Sequence, residues 1–330
     1  MPAQTPSPKF AIYSPFLLDG VCASAILARY AKMKNNNYRF GLLTFNNTDQ
    51  EFEEMANLKG QYIFILDFPP DNVTDLDRKL RLISENNRVV YWNSHHPYTN
   101  EALNTLKKHV QIIELSGPDA DLAIPEKKIC SAEMVANRFM KFDYIATSLR
   151  EIAHDLEFWI RKDERAAKLA DLIASGQIEK KELVDALALG VLWCEKYERI
   201  RKEFLDRKIK ETAALLKKSV IKEYGGCKFC FAMASSILPT ADAGQYVLDN
   251  TEAEVSVIIY RDGRLSFRRK QGCALNLREV AKIFNGGGHA YAAGGNLLIG
   301  KETPVKAVNN DTFDEIVIHM NKKLSEWAYK

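Results

Sequence analysis

No run of the 330 residues is apolar over anything near the roughly 20 positions that a bilayer-spanning helix requires, so no membrane partner is expected. The first ten residues lack the basic start and apolar stretch of a secretion signal, and a cytoplasmic protein is the expectation. Cysteine is sparse: six are scattered through the chain. Cys227 and Cys230 form one Cys-x-x-Cys, but no second pair lies at a spacing that would complete a zinc site, so reduced thiols are the favoured reading over zinc. A charge excess is lacking too. With 46 basic and 43 acidic residues the net charge is +3, which argues against coating long duplex DNA by charge alone and leaves small anionic ligands open. No Gly-x-Gly-x-x-Gly follows the first predicted strand, which disfavours a nicotinamide enzyme. What is present is a globular composition, 46% hydrophobic and 27% charged, on a chain long enough for two domains with a core each.

After a Pro/Ser/Thr-rich start that is expected to fray up to Pro8, strand and helix patterns alternate. Residues 9–13 read as a buried strand and 21–34 as a helix. Residues 38–45 and 61–66 read as strands with a helix near 50–58 between them; a helix over 73–86 leads to a strand at 88–92. This rhythm predicts a doubly wound, mostly parallel α/β domain. Helices follow at 131–139, 145–158 and 163–175, then a helical run over 183–218, strongly charged in its second half, that reads as a connector between domains or, nearly as well, as a solvated helix of the first domain. From residue 219 short strands predominate, including 255–260 and 264–270 about the turn Arg261-Asp262-Gly263, and a helix is expected near 277–284. The expected organisation is residues 1–190 as a metal-binding domain, 191–218 as a connecting helix and 219–330 as a smaller α+β substrate-binding domain, with the active site in a cleft between the domains.

Chemistry-bearing residues fall at the carboxyl ends of predicted parallel strands, where open α/β sheets gather ligands. Asp19 follows the first strand, Asp67 the third, and His95 and His96 the fourth; Asp155 lies in a helix beside His154. Carboxylates with imidazole suit a hard or borderline divalent cation such as manganese. Taken singly, a strand-terminal Asp is as often a helix cap, and a lone His is more often structural than a ligand. In the second domain Gly286, Gly287 and Gly288 precede His289 and then Tyr291-Ala-Ala-Gly-Gly295. Consecutive glycines let backbone amides approach an anion, His289 is placed to donate to it, and the small residues after it are expected to let a helix pack closely. Arg268, in Ser266-Phe-Arg-Arg-Lys270, could clamp a phosphate bidentately; the bland alternative is a solvated basic strand end. Tyr291 could stack on a base, although helix packing is the commoner use.

Gly-Gly-Gly-His-x-x-Ala-Ala-Gly, preceded by a strand with Ser-Phe-Arg, resembles the DHH-associated C-terminal domain of the DHH phosphoesterases, a group with RecJ-type exonucleases, nano-RNases and phosphatases of phosphoadenosine phosphate. The resemblance covers both domains and implies an N-terminal domain holding manganese and a C-terminal domain gripping the nucleotide. By motif, Asp19 matches the last Asp of the first metal motif, Asp67 the metal-bridging Asp, His95 and His96 the two histidines of Asp-His-His, Asp155 the fourth-motif Asp, and Arg268 and His289 the substrate-gripping pair.

The first motif departs from the pattern. Pro15 and Leu17 stand where the family has His and its first Asp, and Ser94 stands for the Asp of Asp-His-His. Proline and leucine cannot ligate a metal. The remaining set, Asp19, Asp67, His95 and Asp155, suits one cation rather than two, manganese first and magnesium as a substitute. Two functions follow. One is a phosphoesterase acting on a short oligonucleotide or phosphorylated nucleotide, with His96 or His154 orienting or deprotonating water. The other is a pseudoenzyme that binds nucleotide or single-stranded nucleic acid as a sensor or scaffold. A homodimer is left open.

Overall fold

The computed structural model describes residues 9–116, 128–297 and 307–328; the N-terminal segment expected to fray lies outside them. Two compact units divide the chain at residues 201 and 202.

The first unit is a five-stranded, wholly parallel sheet of order β2-β1-β3-β4-β5, formed by β1 (Phe10–Ser14), β2 (Tyr38–Leu42), β3 (Tyr62–Ile65), β4 (Arg88–Ser94) and β5 (Val110–Leu115). Alternation along the strands feeds two cores. Phe10, Ile12, Phe64 and Tyr91 join the core built with α1 (Leu18–Met33), α5 (Ser131–Phe139), α6 (Tyr144–Glu157), α7 (Glu164–Ala174) and α8 (Lys180–Ala188). Ala11, Tyr13, Ile63, Ile65 and Trp92 join the core built with α2 (Thr48–Asn57), α3 (Leu76–Asn86) and α4 (Asn100–His109). Helices thus cover both faces, the doubly wound arrangement expected from the sequence. The strand order reverses between β1 and β3, so the residues after these strands flank a crevice where ligands gather in such sheets.

The charged run expected as one helix over 183–218 is instead broken. α8 stops at Ala188, and α9 (Glu195–Leu215) begins after a turn and a short non-helical stretch. Gly190 is the cause. It sits at φ +85, its amide bonds to Leu187 O at 2.9 Å, and the amide of Val191 bonds to Ala186 O at 2.9 Å. That pairing closes a helix with a left-handed residue, which glycine adopts without a Cβ clash.

The second unit is a six-stranded mixed sheet of order β10-β11-β9-β8-β7-β6: β6 (Ser219–Tyr224), β7 (Cys227–Ala234), β8 (Val255–Tyr260), β9 (Arg264–Arg269), β10 (Gly287–Gly288) and β11 (Ala292–Asn296). β7 and β8 run parallel; the other pairs are antiparallel. One face packs with α11 (Leu277–Lys282) and α12 (Phe313–Ala328) and the other with α10 (Thr240–Asn250). The small residues after Tyr291, expected to favour a packed helix, form β11. Their lack of bulk serves a close antiparallel approach to β9 and β10, with Ala292 opposite Arg268 and Gly294 opposite both Ser266 and Gly287. No described helix is long and apolar enough to cross a membrane.

Candidate functional site

In the first unit the ends of β1, β3 and β4 deliver Asp19, Asp67 and His95 to one place. Asp19 lies in the first turn of α1, where the helix dipole favours a negative group. The turn before it needs Gly20, because a Cβ there would stand 2.5 Å from Pro15 O. Asp67 follows β3 with a left-handed backbone, φ +53, and its amide is held by Asn93 Oδ1 at 2.9 Å. His95 Nδ1 lies 3.3 Å from Asp19 Oδ2 and 3.2 Å from Asp67 Oδ1, while Nε2 lies 3.1 Å from Glu157 Oε1. All three strand-end residues are buried.

So many acids around one imidazole set their protonation. Burial alone would depress the pKa of His95, but Glu157, Asp19 and Asp67 together outweigh it and hold the ring protonated well above its ordinary range. Burial also works against charge on Asp19; His95 and the amides of Ala132 and Ser131 outweigh it and keep that carboxyl below its usual value. Asp67 is pushed up to about 7, first by burial and then by the neighbouring Asp19 charge. Two buried carboxylates side by side cannot both ionise freely, and the pair divides into one charged and one protonatable group.

Asp19 also serves the fold. Its Oδ2 accepts the amide of Ser131 at 2.8 Å and its Oδ1 that of Ala132 at 2.7 Å, satisfying the first turn of α5. Ser131 Oγ in turn donates to Asp67 Oδ1 at 3.0 Å. Asp155 takes no part in these contacts. Its Oδ1 accepts the amide of Lys162 at 2.8 Å, and its Oδ2 is buried without a hydrogen-bond partner among the described residues. Glu157, two residues on, is the α6 carboxylate that reaches His95, and nothing in the local sequence marked it out. The His96 ring lies beside that of His95, centroids 4.2 Å apart and planes tilted by 33°, and its amide donates to Ser94 Oγ at 3.2 Å. His154 Nδ1 pairs with Glu133 Oε2 at 2.8 Å, and Glu133 also accepts the amide of Cys130 at the start of α5. That pairing ties His154 of α6 to the first turn of α5.

The donor chemistry fits a divalent cation: one donor atom each of Asp19, His95 and Glu157 lies within 4.8 Å of the others, and buried Asp67 lies beside His95.

In the second unit the β9–β11 ladder gathers the other candidates. Ala292 faces Arg268 across the ladder, and Ala292 O accepts the amide of His289 at 2.8 Å. The half-buried Arg268 runs its stem past Gly244 of α10, where a Cβ would stand 3.2 Å from Arg268 Cβ. Nothing in the sequence marked out Gly244, whose missing side chain leaves room for that stem. His289 is nearly buried and stacks on Tyr291, centroids 5.2 Å apart and planes 7° from parallel. The three glycines divide by cause. A Cβ at Gly286 would stand 1.9 Å from Gly294 O, and one at Gly288, where φ is +131, would stand 2.8 Å from Ala293 Cα. Strand pairing explains both. A Cβ at Gly287 would meet nothing within 4 Å.

No protein-family model matches the chain, and no curated protein matches it. Solved structures do. RecJ of Thermus thermophilus in complex with Mn2+ is 14% identical with a TM-score of 0.54; the match covers 97% of this chain and 52% of that one, so this chain spans about half its length. An exonuclease RecJ bound to manganese is 13% identical with a TM-score of 0.52, covering 97% of this chain and 90% of that one. A pGpG-specific phosphodiesterase, PggH of Vibrio cholerae, is 10% identical with a TM-score of 0.49, covering 96% and 99%. An α/β unit with a parallel sheet, joined to a mixed-sheet unit in the same chain, has the RecJ-like fold.

Proposed function

We propose that this chain is a cytoplasmic DHH-type phosphoesterase that holds one divalent cation, manganese with magnesium as a substitute, and acts on short oligonucleotides or phosphorylated nucleotides. The observation that carries this reading is the convergence of His95 on Asp19 and Asp67, 3.3 and 3.2 Å away, at the sheet's switch point. Asp19, Asp67, His95 and Asp155 would hold the cation. When bound, such an ion polarises a phosphoryl oxygen and lowers the pKa of water. To accept it, His95 gives up its proton and Asp67 gives up the one its raised pKa retains, so binding is proton-linked. His96, half-buried and beside His95, orients or deprotonates water. Arg268 and His289, with the amide of Gly287, grip the terminal phosphate by charge and hydrogen bonds.

A second reading has its own support. Pro15, Leu17 and Ser94 remove three ligands of the resembled two-ion site, and both oxygens of Asp19 are already engaged by α5 amides. On that reading the chain binds nucleotide or single-stranded nucleic acid without turning it over. The deciding experiment is manganese-dependent hydrolysis of a labelled dinucleotide and a short RNA beside Asp67→Ala. Turnover that disappears in the variant supports the hydrolase. No turnover, with binding that depends on His289, makes the chain a binder.

A further inference from the structure

Away from the acidic cluster, the second unit draws two thiols and a carboxylate together from three separate segments. One donor atom from each of Cys227, Glu254 and Cys273 lies within 4.8 Å of the other two. Cys227 and Cys230 are neighbours in sequence, but β7 is a strand, and residues three apart on a strand point to opposite faces. Cys227 packs with the core that contains Phe229 and Phe231, whereas Cys230 is buried in the opposite core with Ala232. The partner comes from the turn after β9. There Gly272 takes φ +90 and the amide of Cys273 bonds to Lys270 O at 3.2 Å, which turns Cys273 back toward β7. Arg269 donates through Nη1 to Cys273 O and fixes the turn.

Glu254 is placed just as firmly. Its amide bonds to Lys228 O at 2.8 Å, its carbonyl accepts the amide of Lys270 at 2.8 Å, and its Oε2 accepts the amide of Lys228 at 3.1 Å. The two adjacent lysines point their charges elsewhere, Lys228 to Glu252 at 2.6 Å and Lys270 to Thr251 O at 3.0 Å. Among the described residues the cluster therefore holds three anion-forming groups, and no Lys or Arg forms an ion pair with its carboxylate.

We propose that Cys227, Cys273 and Glu254 form a zinc site, with water as the fourth ligand. Zinc bonds of about 2.3 Å to sulfur and about 2.0 Å to oxygen put tetrahedral ligand atoms roughly 3.5–3.8 Å apart, a short closure from the spacing present. Two thiolates and a carboxylate are a borderline-soft set that selects zinc over manganese or magnesium. All three residues are half-buried, which leaves the outer position to solvent. Binding displaces the two thiol protons to solvent. The ion would tie the loop after β9, the strand that carries Arg268, to the start of β7 and the approach to β8. This site is separate from the acidic cluster and stands whether or not that cluster supports hydrolysis.

The test uses the full chain, reduced and metal-free, titrated with Co2+ as the spectroscopic stand-in for zinc. A thiolate-to-cobalt charge-transfer band that saturates at one equivalent and is bleached by one equivalent of Zn2+ is the expected result. Cys227→Ser and Cys273→Ser should each weaken it by more than about 100-fold, since losing an outer-shell partner alone costs about 10–100-fold. Cys194→Ser in the first unit should keep the band in full, as should Asp67→Ala, because a carboxylate site gives no thiolate transition. Glu254→Gln, which alters no thiol, should lower the affinity for Zn2+ while leaving the band's position nearly unchanged. Absence of the band in protein whose six thiols titrate as free overturns the site, and so does a band that survives both cysteine variants.

Discussion

Asp19 Oδ1 accepts the amide of Ala132 at 2.7 Å, across 113 positions of sequence. A carboxylate that would ligate a cation therefore also holds the first two amides of α5, because Asp19 Oδ2 takes the preceding one. The two tasks separate by experiment. Asp19→Asn leaves one oxygen for two amides and turns a donor toward the other. In the presence of a chelator it should lower unfolding free energy by about 2–3 kcal/mol, the scale of hydrogen bonds to a buried charged group. Urea denaturation reads this directly, and unchanged stability of the metal-free variant would show that Asp19 serves the cation alone.

Such double duty explains which parts of the site could be read from the sequence. Asp19, Asp67 and His95 were legible because each follows a run of buried strand residues, and the ends of parallel strands are where this sheet type collects ligands. Glu157 was not, since it stands two positions from Asp155, a spacing that places residues on different helix faces. It reaches His95 from the last turn of α6, where the chain is about to leave the helix. The β11 strand was misread as helix-packing sequence because Ala-Ala-Gly-Gly has no β-branched residue. Its strand character comes from β9 and β10 alongside, which no local pattern reveals. The break at Gly190 was hidden because the apolar residues on either side of it, Ala186–Leu189 and Val191–Cys194, continue without a proline or a polar turn cluster.

The glycine loop yields a prediction in two halves. Gly286→Ala places a methyl 1.9 Å from Gly294 O, a backbone atom that cannot move aside, and should unfold or strongly destabilise the second unit. Gly287→Ala meets nothing within 4 Å and should fold normally. If the loop cradles phosphate, that exposed methyl should still weaken nucleotide binding about 10-fold, a loss of about 1.4 kcal/mol. Calorimetry with a short oligonucleotide, beside a thermal melt, separates the two effects. Full affinity in Gly287→Ala would leave the glycines explained by strand pairing alone.

His289 offers a complementary measurement. Its amide is fixed by Ala292 and its ring lies flat against Tyr291, so the side chain is held in one orientation before any ligand arrives. His289→Ala should weaken binding of a phosphorylated nucleotide by about 10–100-fold, the value of a charge-assisted hydrogen bond. Manganese affinity should not change. Tyr291→Phe preserves the stacking ring and should bind like the parent. Equal affinity of His289→Ala and the parent would remove His289 from the phosphate site.

Acid sensitivity should centre on a different pair. Arg29 grips Asp143 with both arms, Nε to Oδ1 and Nη2 to Oδ2 at 2.9 Å each, and Asp143 Oδ1 also accepts the amide of Ala146 as the cap of α6. Burial would raise the pKa of Asp143, but the Arg29 fork and the capping amides outweigh it and hold the carboxyl below its usual value. A carboxylate depressed in the folded state contributes stability above its unfolded pKa of about 3.9, and that contribution disappears as pH falls through the lower folded value. Asp143→Asn keeps a competent helix cap and loses only the charge, so it isolates the pair. Near neutral pH the variant should be less stable by about 1–2 kcal/mol, a figure kept modest because both side chains retain some solvent contact. As pH falls through the folded value the difference should shrink and vanish, because the parent carboxyl is then protonated as well. Urea midpoints for the two proteins across this range give the answer, and a gap that stayed constant with pH would mean that the ion pair contributes nothing and the substitution acts through packing.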